Sequence, residues 1–268
     1  LLFSVIIPTC NRNDLLKKCL DALAPNVQNF PIENYEVIVT DDSKDNIARE
    51  LINNNYTWVK WVSGPKRGPA ANRNYGAKQA KGRWLVFTDD DCIPTNKWLN
   101  GYYISIINTS YKIFEGLTDA NRPKMRFDEE SPINLKGGYL WSCNFCINKM
   151  LYFSINGFDE SFPFPALEDT DFNHRVKNIE KILFCPEAKI IHPWRRTRPY
   201  QGYKKWLLSN KYYLEKYQVE KNITFRLSRI KILIGSTLRF TKELIKYSGR
   251  GIHFYFEKIW FNVLMIFI

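Results

Sequence analysis

Nowhere does this sequence carry the ~20 consecutive apolar residues that a membrane-crossing helix needs. Its last apolar stretch, Ile259 to Ile268, is ten residues long. Acidic residues are also short: 27 Asp and Glu stand against 39 Lys and Arg, a formal charge of +12. That deficit favours an anionic partner, whether nucleic acid, an acidic membrane surface or a phosphorylated substrate. The six cysteines suggest no disulfide framework, because no secretory leader precedes the first strand, so a reducing, cytosolic setting is expected. Cys143 and Cys146 make a lone C-x-x-C; zinc needs four ligands, so these read as two strand thiols. With 45% hydrophobic residues and 13 each of Gly and Pro, the composition excludes collagen, low complexity and wholesale disorder. The chain starts inside a strand and without Met, as a trimmed chain would.

Phe3-Ser-Val-Ile-Ile-Pro8 is an apolar run stopped by proline and reads as a buried strand. Asn13 or Asp14 is placed to cap a helix in which Leu15, Leu16, Cys19, Leu20 and Leu23 recur at helical spacing. Tyr35 to Thr40 is a second strand, followed by a helix from Asn46 to Asn53 and a strand near Trp58–Val62. Gly64 to Pro69 is a loop, Ala70 to Ala80 a helix ended by Gly82, and Trp84 to Thr88 a further strand. Such alternation defines an α/β fold with a mostly parallel sheet flanked by helices, and ligands of such sheets lie beyond the carboxyl ends of the strands. Beyond it, strands are expected near Lys112–Glu115 and Tyr139–Ile147, with a long polar loop from Arg122 to Lys136 between them. A loop from Gly157 to Pro165 precedes a helix from Leu167 to about Ile179, and two short strands, Ile182–Phe184 and Ala188–Ile191, lead to His192.

The strand ends carry the chemistry. Asp89-Asp90-Asp91 repel one another in a dry setting and call for a cation or solvent; oxygen ligands of this kind suit Mg²⁺ or Mn²⁺ beside substrate phosphates. Alone, D-x-D is in most proteins a solvated acidic turn; its place after the strand Trp84 to Thr88 favours the ligand reading. Asp42 is placed either to meet a base or ribose or to cap a turn with Ser43. Lys66, Arg67 and Arg73 surround a helix start that favours anions. Glu168-Asp169-x-Asp171 is a capping cluster by its helix position, and also a source of a general base for a hydroxyl nucleophile. His192 is by default a structural histidine, unless its strand lies beside the Asp89–Asp91 turn.

Six ordered motifs together resemble glycosyltransferase family 2: Ser4-Val-Ile-Ile-Pro-Thr-x-Asn-Arg12, Glu36-Val-Ile-Val-Thr-Asp-Asp-Ser43, Gly68-Pro-Ala-Ala-Asn-Arg-Asn-x-Gly76, Phe87-Thr-Asp-Asp-Asp-Cys-Ile-Pro94, Asn156-Gly-Phe-Asp-Glu160 and Glu168-Asp-Thr-Asp-Phe-x-x-Arg175. The resemblance runs from about Phe3 to Trp194 and implies a GT-A fold and an inverting, metal-dependent transfer of a sugar from a nucleotide diphosphate, with UDP the expected nucleotide, to a hydroxyl acceptor. It further implies donor contacts at Pro8, Thr9, Arg12, Asp42, Arg73, Asp89 and Asp90, a metal (Mn²⁺ or Mg²⁺) on Asp91 and His192, and Asp169 as catalytic base. Asn144 and Glu168 fall on the acceptor side. Two departures stand out: Ser43-Lys44 replaces the family's usual Gly-Ser, and Ser142-Cys143-Asn144 replaces its Thr-Gly-Asn.

The domain expectation is a catalytic domain over 1–199, with donor half 1–105 and acceptor half 106–199, and a basic, aromatic helical tail over 200–268. That tail holds 13 Lys and Arg against 4 Asp and Glu, a net +9 of the chain's +12. It reads as amphipathic helices on an anionic membrane or as a cap packed on the sheet. Expected partners are thus a nucleotide-sugar, a carbohydrate or glycolipid acceptor and an acidic membrane surface, with no nucleic acid, in the cytoplasm or peripherally on the inner face of the cell membrane. Two rivals remain: a nucleotidyltransferase of related fold, and a basic nucleic-acid or membrane-binding module. Neither accounts for acids at several strand ends together with the Glu168-Asp169 motif.

Overall fold

Residues 1–45, 47–197 and 202–268 are described in the computed structural model. Strand β1, Phe3–Thr9, is buried along its whole length. Its side chains alternate between two apolar clusters, Val5 and Ile7 on one face and Ile6 on the other, as a sheet covered on both sides requires. Helix α1, Asn13–Leu23, buries Leu16, Cys19, Leu20 and Leu23 against the first of these clusters. It starts at Asn13 with Arg12 in the capping position and no side-chain cap, so neither Asn13 nor Asp14 plays the expected part. Strand β2 (Tyr35–Asp41), helix α2 (Ile47–Asn55), strand β3 (Val59–Ser63), helix α3 (Pro69–Gln79) and strand β4 (Trp84–Thr88) follow. The helix start expected at Asn46 lies outside the described residues.

Helix α3 has no apolar stripe. Small residues let it lie close on the sheet: a Cβ on Gly76 would stand 2.6 Å from Ile6 Cγ2 and 3.1 Å from Thr40 Cγ2. Asn72 then reaches the strand ends, donating to Thr40 O at 2.8 Å.

Strand β5 (Ile93–Pro94) precedes helix α4 (Trp98–Asn108), which the sequence reading lacks. Strand β6 (Ile113–Asp119), the short strand β7 (Glu129–Glu130), strand β8 (Asn144–Asn148), helix α5 (Lys149–Ser154), helix α6 (Glu168–Lys177) and strand β9 (Ile182–Ile191) complete the middle of the chain. The strand expected from Tyr139 begins only at Asn144, because buried Glu115 gathers the backbone N–H groups of Gly138, Tyr139 and Leu140 into a turn. The two short strands expected at 182–191 are one strand, with a register shift opposite Gly116 and Leu117. Then come β10 (Arg195–Arg196), α7 (Tyr203–Lys216), α8 (Ile223–Lys246) and α9 (Ile252–Leu264).

The main sheet has eight strands in the order β3-β2-β1-β4-β8-β6-β9-β5. Pairing is parallel from β3 to β4 and between β6 and β9, and antiparallel at β4–β8, β8–β6 and β9–β5. The carboxyl ends of β1, β2 and β4 therefore share one edge.

The chain forms two compact units: residues 1–121, 132–160 and 168–193, and residues 122–131, 161–167 and 194–268. The linear boundary expected at 199 and 200 falls outside the described residues. The first unit holds the sheet. In the second, α8 packs along α9, and the Phe127 ring meets the rings of Phe240, Phe254 and Tyr255. Among the described residues no helix is long and apolar enough to cross a membrane.

Candidate active site

Parallel pairing of β1 with β4 sets the Thr9 end beside the Asp89–Asp91 turn. Thr9 Oγ1 donates to Asp90 Oδ2 at 2.7 Å, and Arg12 Nη2 lies 2.7 Å from Asp90 Oδ1. The other Arg12 nitrogen, Nη1, is 3.3 Å from Asp91 Oδ2. Asp90 is fully buried, and burial pushes its carboxyl up to about 7 against the pull of Arg12 and Thr9. Asp90 thus serves as a post inside the turn, and Thr9 holds it there. Pro8 is buried one residue earlier, in β1.

Asp91 and His192 meet because β5, directly after the acidic turn, pairs antiparallel with the end of β9. His192 N–H donates to Asp119 O at 2.8 Å, which fixes the backbone. Its Nδ1 is 3.0 Å from Pro193 O, a group that can only accept, so Nδ1 carries the hydrogen. Nε2 then faces Asp91 Oδ1 across 3.3 Å. Fixing one imidazole nitrogen through a backbone carbonyl is the usual way of aiming the other at a cation. The Cys92 thiol also lies within reach, the three potential ligand atoms falling within 4.8 Å of one another. Burial raises the Cys92 thiol well above its ordinary range, and a hydrogen bond with the free thiol of Cys143 does the same, so it stays a neutral core thiol. A carboxylate with an imidazole is a donor set that fits a transition-metal cation such as Mn²⁺ better than Mg²⁺, which prefers oxygen ligands alone.

The third part of the edge comes through α3. Arg73 is buried, with Nη2 2.6 Å from Asp89 Oδ1 and Nη1 3.5 Å from Glu168 Oε1. Its guanidinium also lies over the Phe158 ring. Burial opposes its charge, but Asp89 and Glu168 outweigh that and raise its pKa. Arg73 therefore ties the acidic turn to the start of α6. Glu168 is buried there, and burial, with the Asp169 charge next, pushes it up to about 7. Asp169 keeps some surface open, yet burial raises its carboxyl too, while Arg73 pulls it down. Both acids therefore hold their protons to higher pH than solvated carboxylates do.

Asp42 uses both carboxylate oxygens on the loop after β3, accepting from Lys66 N at 2.9 Å and Gly68 N at 3.1 Å. Burial raises its pKa above the usual carboxylate value. Arg67 pairs with Glu160 at 2.9 Å, away from the acidic turn.

Asn144 is corrected. Its register opposite Thr88 on β4 turns it into the core. Its Oδ1 accepts from Trp98 Nε1 at 2.8 Å and Tyr102 Oη at 2.7 Å, and its Nδ2 donates to Leu117 O and Ala188 O. All four hydrogen-bonding positions are filled, so nothing is left for an acceptor. The sequence reading also passed over Asn74, whose amide holds the Phe158–Glu160 loop to α3. Its place beside Arg73 in Asn72-Arg73-Asn74 was the available signal.

Residues 4–145 match the family Glycosyl transferase family 2, more than half of the chain. The chain belongs to glycosyltransferase family 2. Among relatives of this glycosyltransferase family member is a poly(ribitol-phosphate) beta-glucosyltransferase of Bacillus spizizenii, 33% identical over 138 residues, which are 48% of this chain and 22% of that protein. A GalNAc(5)-diNAcBac-PP-undecaprenol beta-1,3-glucosyltransferase of Campylobacter jejuni is 34% identical over 93 residues, 33% of this chain and 29% of that one. This family 2 chain thus covers less than a third of the length of either relative. Its fold matches Staphylococcus aureus TarS 1–349 in complex with UDP-GlcNAc with a TM-score of 0.59 and 24% identity, over 80% of this chain and 67% of that one. The mixed sheet flanked by helices is the GT-A fold, as the motif order implied.

Proposed function

We propose that this family 2 member is an inverting glycosyltransferase that moves a sugar from a UDP-sugar to a hydroxyl of a carbohydrate or glycolipid acceptor. One observation carries the reading: the acidic turn, the Asp91–His192 pair and the Glu168–Asp169 pair converge on one sheet edge through Arg12 and Arg73. The relatives' names support a sugar transferred to polymer or lipid-linked acceptors, and the fold relative holds a UDP-sugar.

Residues 1–105 bind the donor in this reading, and residues 106–199 meet the acceptor. Pro8, Thr9 and Asp42 shape the base pocket, with Asp42 acting through the loop it holds. Arg73 fixes Asp89 for the ribose side, and Asp90 keeps Arg12 directed at the diphosphate. Asp91 and His192 would hold Mn²⁺ or Mg²⁺, which when bound neutralises charge on the departing diphosphate. Asp169 takes the proton from the acceptor hydroxyl, whose oxygen attacks the anomeric carbon opposite the leaving group and inverts it. Burial keeps Asp169 basic, and Glu168 ties the start of its helix to Arg73. Such an acceptor would bring the protein peripherally to the inner face of the cell membrane.

The test is product analysis after incubation with a panel of UDP-sugars and acceptors. Release of UDP with an inverted anomeric product is expected. Release of pyrophosphate would instead identify a nucleotidyltransferase.

A further inference from the structure

Helix α8 packs along one face, while on the other Thr241 meets Tyr255 of α9 at 3.0 Å and a row of apolar side chains stands open. Its inner face packs: Ser236 is buried and accepts from Asn262 Nδ2 at 2.8 Å, and the Phe240 ring lies 5.7 Å from that of Phe127. Its outer face carries Ile223, Leu227, Ile230, Ile234, Leu238 and Ile245, every one exposed, from 39% at Ile230 to 72% at Ile245. Steps of three and four residues, or of seven past Thr241, keep all six within one narrow stripe. Over 24 residues the stripe runs roughly 36 Å. An apolar row of this length in water is unfavourable unless something covers it.

The charges around the stripe point to what covers it. Helix α8 carries six Lys and Arg and a single acid, Glu243. That acid is engaged by Lys124 at 2.5 Å. Arg226 flanks the stripe on one side, and Lys231 and Lys242 on the other, with their long stems free to lie along an apolar surface while the charged ends reach outward. A partner protein helix would need acids on both its margins and an apolar seam between them. A bilayer with anionic headgroups supplies both over any length, with the charge outside and the hydrocarbon within. Helix α9 adds a shorter apolar row without the flanking cations, Ile252, Phe256 and Trp260 standing exposed at four-residue spacing.

We propose that the outer face of α8 lies in the interface of an anionic lipid bilayer, its isoleucine and leucine row below the headgroups and its flanking cations among them. The membrane contact is then a built surface of this helix, not a diffuse consequence of net charge. The proposal gives a structural basis to peripheral placement and is independent of the transfer chemistry.

Flotation of the full chain with vesicles tests it, using phosphatidylcholine alone and phosphatidylcholine mixed with phosphatidylglycerol. The decisive variant is Leu227→Glu/Ile234→Glu/Leu238→Glu, at positions already exposed. A control places the same three charges on exposed apolar residues elsewhere: Ile107→Glu/Met150→Glu/Ile179→Glu. We expect the wild type and the control to float with the anionic vesicles and not with phosphatidylcholine alone. The α8 variant should lose association by about a hundredfold or more, with an unchanged circular dichroism spectrum and unchanged UDP binding. Failure of the wild type to float with anionic vesicles would overturn the proposal, as would an α8 variant that floats like the wild type. A wild-type dimer that the α8 variant abolishes, without flotation, would assign the stripe to a second copy of the chain and overturn it as well.

Discussion

The two units of this molecule handle charge in opposite ways. In the first, a few titratable groups are drawn inward and bound to one another: Arg73 between Asp89 and Glu168, and Asp90 between Arg12 and Thr9. In the second, most of the chain's positive excess stands on helices α7 and α8, with side chains largely in water. Net charge locates the second unit and says nothing of the first, where basic and acidic groups nearly cancel. Chemistry follows the buried, balanced charges, and surface attraction follows the exposed, unbalanced ones.

Substitutions should respect that contrast. The largest effect is expected from Asp169→Asn, which removes the base and keeps the shape. Transfer should fall by about a hundredfold to ten-thousandfold. UDP-sugar affinity, read by calorimetry, should stay near wild type; transfer near wild type would remove Asp169 from the role. Arg73→Met leaves Asp89 and Glu168 without their shared cation. It should cost about 3–5 kcal/mol in urea unfolding, the usual cost of breaking a buried pair.

pH comes next. Glu168 is pushed up to about 7 and Asp169 is raised with it. A base acts only when ionised, so transfer under saturating substrate should rise with pH until Asp169 is ionised, with the acid-side fall lying above the usual aspartate range because burial raises that carboxyl. The inflection should move up in Arg73→Met, because Arg73 is the charge that pulls the Asp169 carboxyl down. A profile flat from pH 5 to 8 would separate the pair from the rate.

Asn144→Ala should cost about 1–3 kcal/mol by orphaning Trp98 and Tyr102, with an acceptor KM like that of the wild type. A raised KM with unchanged stability would restore Asn144 to the acceptor side. The smallest effect belongs to the second unit: Lys231→Gln on α8 should change stability by less than about 0.5 kcal/mol.

Much of this was legible in the sequence, and the misses have physical causes. Strands β1, β2 and β4 were readable because each is a continuous apolar run with acids or a proline at its end. Helix α1 was readable from its spacing, but its start was misread: Arg12 is held by Asp90 and Asp91, and local capping chemistry carries no trace of that. Helix α4 escaped notice because its apolar residues surround it too evenly for one stripe to show. The strand expected from Tyr139 was shortened by Glu115, a contact across some two dozen residues. In the site, Asp91 and His192 could be named separately, but their meeting depends on the two-residue strand β5, too short to leave a pattern. Asn144 lies in a motif position that suggested function, and only the register of β8 against β4 shows that it points inward.

The most direct test of the central claim is calorimetric titration of UDP into the wild type, Asp91→Asn and His192→Gln, each with and without Mn²⁺. Binding should depend on the metal in the wild type and be lost or weakened at least about tenfold in both variants, while their melting temperatures without ligand stay close to wild type. UDP binding that is indifferent to Mn²⁺, or unchanged in both variants, would contradict a metal-assisted donor site on this sheet edge.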